Sequence, residues 1–226
     1  MRKTILLLCL FSALSIPVRA VEAPKYIALT FDDGPSGRFT RTLLEGLAQR
    51  DVHATFFLCG YRLENQADLA AQIRRNGHEI GLHGYSHDPM SEMSRDRITR
   101  ELRRTRALLP GGTLVNLLRT PGGERTDTVC LCAQQENLTL IHWSVDPRDW
   151  ACGDPHIIAQ RILEQAKDGD IILLHDMTDS SVAAALAVVD QLQAQGYRFL
   201  TVSQLAMLRL THLQPGRQHS AFPPAH

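Results

Sequence analysis

Short apolar runs alternate with amphipathic segments along most of this chain. Seven runs have the composition of strands, at residues 26–31, 54–58, 79–82, 117–119, 138–143, 170–174 and 198–201. Seven helix-like segments follow them, at residues 39–50, 64–76, 95–108, 127–137, 155–167, 181–195 and 203–210. Such β–α alternation is typical of a parallel sheet with crossover helices. Seven units favour a closed or nearly closed sheet, so we predict an α/β fold with a distorted (β/α)7-type barrel.

Length and charge limit what else the chain can be. Its 226 residues, of which 44% are apolar, suffice for one well-buried domain and are too few for two comfortable ones. The formal net charge is 0, so no basic surface indicates binding to nucleic acid. We expect a single-domain monomer.

The first twenty residues form a separate segment. Arg2 and Lys3 precede an apolar stretch at residues 5–16, and small residues at Val18 and Ala20 suit a cleavage site. This pattern predicts a secretory signal peptide at residues 1–20 and export to the cell envelope or beyond. The alternative is an uncleaved membrane anchor, for which the apolar run is short.

Five cysteines are present, and Cys9 lies in the predicted signal peptide. Cys59, Cys130, Cys132 and Cys152 remain, and four cysteines in an exported chain permit two disulfides with three connectivities. The Cys130 and Cys132 pair resembles part of a metal clip, but no second such pair follows. Disulfide partners or buried thiols are therefore favoured over ligands, and Cys130 or Cys132 with Cys152 is the first bridge to test.

The last sixteen residues, 211–226, have three prolines, Gly216 and no apolar period. We interpret them as a loose, flexible C-terminal tail. The histidines in this segment, His212, His219 and His226, are scattered and predict no site.

Polar residues gather where the predicted strands end. These residues are Asp32 and Asp33, His83 and His87, Arg119 to Gly123, Asp146 to Trp150, and His175 with Asp176. Because the carboxyl ends of parallel strands meet at one rim of a barrel, we expect these side chains to lie close together.

Two histidines and a doubled aspartate are the parts of a one-metal hydrolase site. Catalytic zinc takes two or three imidazole or carboxylate ligands and keeps one position open. The second carboxylate is then free to act as a base on water. Taken singly, the aspartates could form a plain turn and the histidines could decorate a surface. His175 is more informative, because a buried strand seldom needs a titratable residue for packing.

Taken together, these segments resemble the five motifs of the polysaccharide deacetylases, carbohydrate esterase family 4. In order, they match Thr-Phe-Asp-Asp-Gly-Pro at 30–35, His-x-x-x-His at 83–87, Arg-x-Pro-x-Gly at 119–123, Asp-x-x-Asp-Trp at 146–150 and Leu-x-His at 173–175. The resemblance extends from about residue 25 to residue 210. It implies a distorted barrel of seven or eight β/α units and a catalytic domain at 21–210. The implied activity is metal-dependent removal of acetyl groups from a polysaccharide.

The resemblance also implies the role of each residue around the metal. Asp32 resembles the catalytic base, and Arg119 resembles the arginine that keeps this carboxylate ionised and oriented. Asp33, His83 and His87 resemble the ligands of one divalent metal ion. Zinc suits such a set best, and cobalt or nickel also fit it.

A second group of residues resembles the family's acid and its apolar walls. His175 resembles the general acid that protonates the leaving amine. Asp149 resembles the carboxylate that keeps this histidine charged, with Asp146 as the less favoured candidate. Trp150 and Leu173 resemble the walls that receive the acetyl methyl group.

The turn after the third motif resembles the source of the oxyanion contact. Pro121 precedes Gly122, whose backbone N–H resembles the oxyanion donor. The family often has a tyrosine at the position of Gly122, and usually serine or threonine at the position of Gly84. The glycine at position 122 predicts a wider cleft, and the glycine at position 84 predicts a less rigid loop between the two histidine ligands.

The resemblance leaves several substrates open. Peptidoglycan sugars rank first, chitin-type oligomers second and O-acetyl xylan third, with a non-sugar amide as a lesser possibility. The alternative is a non-catalytic glycan-binding protein. It is disfavoured because the predicted base, ligands and acid are all present.

Overall fold

The computed structural model describes residues 23–224. The predicted signal peptide, Cys9 and His226 therefore lie outside the described residues. Within that range, the strands are β1 (Lys25–Asp32), β2 (Thr55–Leu58), β3 (Glu79–Leu82), β4 (Leu117–Leu118), β5 (Thr139–Ile141), β6 (Ile171–His175), β7 (Tyr197–Phe199) and β8 (Gln218–His219). The α-helices are α1 (Arg38–Ala48), α2 (Gly60–Leu63), α3 (Ala67–Arg75), α4 (Arg95–Ala107), α5 (Asp127–Gln135), α6 (Pro155–Gln165), α7 (Asp179–Ala194) and α8 (Val202–Leu208).

The strands form one curled parallel sheet in the order β6-β1-β2-β3-β4-β5-β8, with β7 beside the start of β1. Beyond β5, Val145 forms a parallel bridge with Ile172 of β6, and the N–H of Leu173 donates to the Val145 carbonyl at 2.9 Å. This bridge brings the two sides of the sheet together. The predicted α/β fold with a distorted barrel is therefore confirmed.

Burial explains why the strands lack an alternating pattern. In β1, the six residues from Ile27 to Asp32 are all buried, as expected for a parallel strand covered on both faces. The flanking helices supply the cover with one apolar face each; α1, for example, buries Leu43, Leu44 and Leu47. Ionisable side chains consequently lie at the strand ends, where Asp33 and His175 stay partly exposed although Asp32 is buried.

The predicted helix at residues 64–76 begins only at Ala67 in the structure, and a separate short helix precedes it. Helix α2 ends at Leu63 and α3 begins at Ala67, with Gln66 between them. The Gln66 side chain donates to the Pro35 carbonyl at 2.9 Å and accepts from the Gly37 N–H at 2.7 Å. This break ties the α2–α3 turn to the loop that follows β1.

The C-terminal segment corrects the expectation of a loose tail. Strand β8 pairs with β5, and the Leu140 N–H donates to the Arg217 carbonyl at 2.8 Å. Phe222 is only 1% exposed and packs in a cluster with Ala28 and Ile171. Residues 217–222 dock through backbone hydrogen bonds and one aromatic side chain, which leave no periodic signal in the sequence.

We expect Phe222→Ala to lower the free energy of unfolding by about 3–5 kcal/mol, because it removes a fully buried aromatic side chain. Denaturant titration measures the change. Leu114→Ala is the matched control, since Leu114 is 97% exposed and should change stability by less than about 0.5 kcal/mol. Equal stabilities of the two variants would contradict the docking of this segment.

All four cysteines in the described part of the chain are free thiols, with Cys59 and Cys132 buried. The expected bridge between Cys152 and Cys130 or Cys132 is therefore not formed. The alternative, buried thiols, holds for Cys59 and Cys132. No helix in residues 23–224 has the length and apolar character needed to cross a membrane.

Candidate active site

The polar strand ends meet at one rim of the sheet, as predicted. Asp32 at the end of β1 is the register partner of His175 at the end of β6. A cavity of about 440 Å³ opens at this rim. It is lined by Asp32, Asp33, His83, His87, Gly122, Trp143, Asp146, Trp150, Leu173 and His175.

Asp33, His83 and His87 place three potential ligand atoms within 4.8 Å of one another. Asp33 Oδ1 lies 3.1 Å from His83 Nε2 and 2.9 Å from His87 Nε2. Burial opposes ionisation of Asp33, but the two imidazoles outweigh it and hold the pKa of this carboxyl well below its usual range. The carboxyl is therefore ionised, as a metal ligand must be.

Two details show that this triad fits a cation. Asp33 Oδ1 is buried, yet no hydrogen bond of normal geometry reaches it. His83 Nδ1 lies 2.8 Å from the Arg119 carbonyl, which can only accept, so Nδ1 carries the proton. Nε2 is then the ring nitrogen left to bind a cation beside Asp33 Oδ1, and a carbonyl fixing the second ring nitrogen is typical of metal-binding histidines.

Asp32 is held by a fully buried arginine. Arg119 donates to Asp32 Oδ1 at 2.7 Å and to the Thr30 hydroxyl at 2.7 Å. The same guanidinium donates to the carbonyls of Ile141 at 3.1 Å and His142 at 2.9 Å. Burial lowers the pKa of Arg119, and the Asp32 carboxylate opposes that shift. These four hydrogen bonds fix the orientation of the guanidinium, and the guanidinium in turn fixes the orientation of the Asp32 carboxylate.

His175 is held by a buried aspartate. Its Nδ1 lies 2.8 Å from Asp149 Oδ1, and its backbone N–H donates to Asp149 Oδ2 at 2.8 Å. Burial alone would lower the pKa of His175, but the hydrogen bond and charge of Asp149 raise it to about 9. Asp146 instead accepts from the Arg148 N–H at 2.8 Å and lines the cavity. The structure thus brings Asp149, the favoured candidate, against the imidazole.

The remaining predicted residues line the cavity, with one exception. Gly122 lines it with a φ of 69°, a backbone conformation that glycine adopts readily. Leu173 is buried in its floor, and Trp150 lies at its edge, 67% exposed. Pro121 is buried and is not among the lining residues, so its contribution is to the turn that presents Gly122.

Sequence reasoning missed Trp143, which lines the cavity. Its indole stacks on the His142 ring with centroids 3.9 Å apart, and a Cβ added at Gly123 would lie 2.6 Å from it. Glycine at position 123 therefore lets the third-motif turn pack against the indole. Trp143 ends a predicted strand, so its position was a signal, but its side chain is not ionisable like those that mark the other strand ends.

Asp176 was also missed as a support of the site. It is fully buried, its Oδ2 accepts from the Thr40 hydroxyl, and Thr40 Oγ1 accepts from the Ser36 N–H at 2.7 Å. Burial raises the pKa of Asp176 to about 6. A Cβ at Gly34 would lie 2.8 Å from Asp176 Oδ1, so this carboxyl packs directly under the turn that follows the two aspartates. Its only sequence signal is its place beside His175.

Comparison with known proteins identifies the group to which this site belongs. The sequence profile of the polysaccharide deacetylase family matches residues 20–141. A peptidoglycan-N-acetylglucosamine deacetylase of Bacillus cereus is 38% identical over 194 residues, which cover 83% of this chain and 90% of that protein. The chain belongs to the polysaccharide deacetylase family. The resemblance seen in the motifs, and the assignment as a polysaccharide deacetylase enzyme, are confirmed.

Two solved structures extend the match from sequence to fold. The peptidoglycan deacetylase PdaC of Bacillus subtilis superposes on this deacetylase with a TM-score of 0.79 at 33% identity, covering 83% of this chain and 92% of that one. A family 4 acetyl xylan esterase of Clostridium thermocellum, in complex with cobalt, gives 0.82 at 30% identity, covering 88% and 100%. Full-length PdaC is longer than the solved chain, and this deacetylase spans 41% of it.

Proposed function

We propose that this deacetylase is a secreted or envelope hydrolase that removes N-acetyl groups from amino sugars of peptidoglycan or of chitin-type oligosaccharides. The observation that carries this function is the convergence of three parts on one cavity: the ligand triad, the Arg119-held carboxylate and the Asp149-held imidazole. Relatives named peptidoglycan-N-acetylglucosamine deacetylase and chitooligosaccharide deacetylase support the substrate class. The predicted signal peptide, cleaved after Ala20, supports the location, and we propose a monomer.

Asp33, His83 and His87 would hold one divalent cation, with zinc first and cobalt or nickel as alternatives. Two imidazoles and one carboxylate are a common catalytic zinc set. When bound, such a cation supplies a Lewis acid that polarises the acetyl carbonyl and makes water easier to deprotonate. The solved relative in complex with cobalt supports a metal-dependent site.

The protein's own groups complete the hydrolysis. Asp32 removes a proton from the water that attacks the carbonyl carbon, and Arg119 keeps the carboxylate oriented toward it. The Gly122 N–H binds the oxyanion that forms. When the carbon–nitrogen bond breaks, the His175 imidazolium gives its proton to the departing amine. Acetate and a free amino sugar result.

The walls of the cavity fit the apolar part of the acetyl group. Leu173 and Trp150 would contact the methyl, as the family resemblance implies, and Trp143 adds a third apolar surface. Gly122 leaves the cleft open on its own side, because it has no side chain. This opening suits a polymer that continues beyond the reacting sugar.

We expect the purified protein to release acetate from peptidoglycan and from N-acetylglucosamine oligomers. Release should stop when a chelator removes the metal and return when zinc is added, because a metal-free triad cannot polarise the carbonyl. Enzymatic quantification of acetate, with zinc content measured on the same samples, checks both parts.

The possible results separate the alternatives. Release from O-acetyl xylan but not from the N-acetylated polymers would favour an esterase over an amidase. One zinc per chain without acetate release from peptidoglycan, N-acetylglucosamine oligomers or O-acetyl xylan would favour a non-sugar amide as the substrate. No zinc and no release would contradict the enzyme and leave the non-catalytic glycan-binding protein.

A further inference from the structure

The loop between the two candidate histidine ligands is bound by a carboxylate outside the cavity. Glu101 lies on α4, and its Oε2 accepts from the Tyr85 N–H at 2.8 Å and the Ser86 N–H at 2.8 Å. The same oxygen accepts from the Ser86 hydroxyl at 3.1 Å. Three donors from two consecutive residues thus converge on one carboxylate oxygen.

The carbonyls of this loop have different partners. The Gly84 and Tyr85 carbonyls accept from the N–H groups of Gly60 and Tyr61 at 3.0 Å each, at the start of α2. The loop therefore lies between two supports. Helix α2 binds its acceptors, and Glu101 of α4 binds its donors.

His87 depends on this loop more than His83 does. The His83 ring is buried and fixed at Nδ1 by the Arg119 carbonyl. The His87 ring is 42% exposed, and within residues 23–224 its polar contact is the one to Asp33. His87 also has a φ of 66°, a conformation that residues other than glycine adopt only when their surroundings enforce it.

Gly84 cannot brace the loop itself. Its φ is 78°, and a Cβ at this position would lie 2.9 Å from Met90 Cε. Both features disfavour a side chain here, such as the one whose hydroxyl the family usually has. The 84–87 loop must therefore be stabilised by a neighbouring element. Glu101 is the neighbour that binds the N–H groups of Tyr85 and Ser86.

We infer that Glu101 is a positioning residue that orders the 84–87 loop, places the His87 imidazole, and so sets the affinity of the site for its metal. This inference rests on the proposed function, because it takes Asp33, His83 and His87 as the ligands. Hydrogen bonds to an ionised acceptor are about twice as strong as neutral ones, so three on one oxygen form a stiff support.

Zinc affinity of the full-length protein, measured by competition with a chromophoric chelator, tests the inference. Loss of an outer support typically weakens metal binding about 10–100-fold, and we expect a loss in that range for Glu101→Ala. Glu101→Gln should fall between Glu101→Ala and the unmodified protein, because an amide oxygen still accepts but carries no charge. Asp96→Ala is the matched control: it removes an exposed carboxylate from α4 that makes no side-chain hydrogen bond among the described residues.

Each result has one meaning. Zinc affinity of Glu101→Ala equal to that of Asp96→Ala overturns the inference. If thermal unfolding shows that Glu101→Ala does not fold, Glu101→Gln decides: weaker binding than the unmodified protein supports the role, and equal binding overturns it. If the unmodified protein binds no zinc, the proposed metal site fails first and the role of Glu101 falls with it.

Discussion

Asp32→Asn should lower kcat for acetate release by about 10²–10⁴-fold, the usual contribution of a general base, and should leave zinc bound. Asparagine has nearly the same shape but cannot take a proton from the attacking water. The metal stays because Asp33, His83 and His87 provide the ligand atoms that converge. The measurements are kcat on an N-acetylglucosamine oligomer and zinc content per chain.

His83→Ala is the matched comparison for this variant. His83→Ala removes a ligand and leaves the base, so bound zinc and activity should be lost together. Asp32→Asn should instead lose activity and keep zinc. Loss of zinc from Asp32→Asn would place Asp32 among the ligands. Retention of most of the activity would remove it from the role of base.

His175→Ala should slow amide hydrolysis more than ester hydrolysis. A departing amine needs the proton that His175 gives, whereas an alkoxide-type leaving group depends on it less. We expect a loss of about 10²–10⁴-fold on the N-acetyl substrate and a clearly smaller loss on a matched O-acetyl substrate. Equal losses on the two substrates would contradict the role of His175 as the acid.

The pH dependence gives a second measure of the same role. Asp149 raises the pKa of His175 to about 9, so the imidazolium is present below that pH and is lost above it. Amide turnover should therefore fall as the pH rises through about 9. Asp149→Asn should move this fall to lower pH, because a neutral amide stabilises the imidazolium less. An unchanged alkaline limb in Asp149→Asn would show that another group controls it.

Much of the site was predictable because its residues lie at strand ends. A parallel strand buries its interior on both faces, so ionisable residues remain only where the strand stops. Asp32, Arg119 and His175 all follow apolar runs, and the structure brings these residues to one rim. Trp143 also stands at a predicted strand end, but an apolar side chain at such a place does not by itself indicate a site.

The supports of the site were not predictable in this way. Glu101 has the appearance of an ordinary polar residue of an amphipathic helix, because its partners are backbone N–H groups of a distant loop. The docking of residues 217–222 also depends on backbone hydrogen bonds and on the single side chain of Phe222. Nearly every residue has the same backbone donor and acceptor, so the hydrophobic periodicity of a sequence does not indicate which of them pair.

The placement of β1 has a consequence for folding. This strand is made early, yet β6 and β7, which pair with it, come from near the other end of the chain. Pairings so distant in sequence form slowly, because a long loop must close first. The candidate ligands all precede residue 88, whereas the candidate acid arrives with β6. A chain interrupted before residue 171 would therefore carry the ligands, lack the acid and leave one edge of β1 open to pairing with other chains.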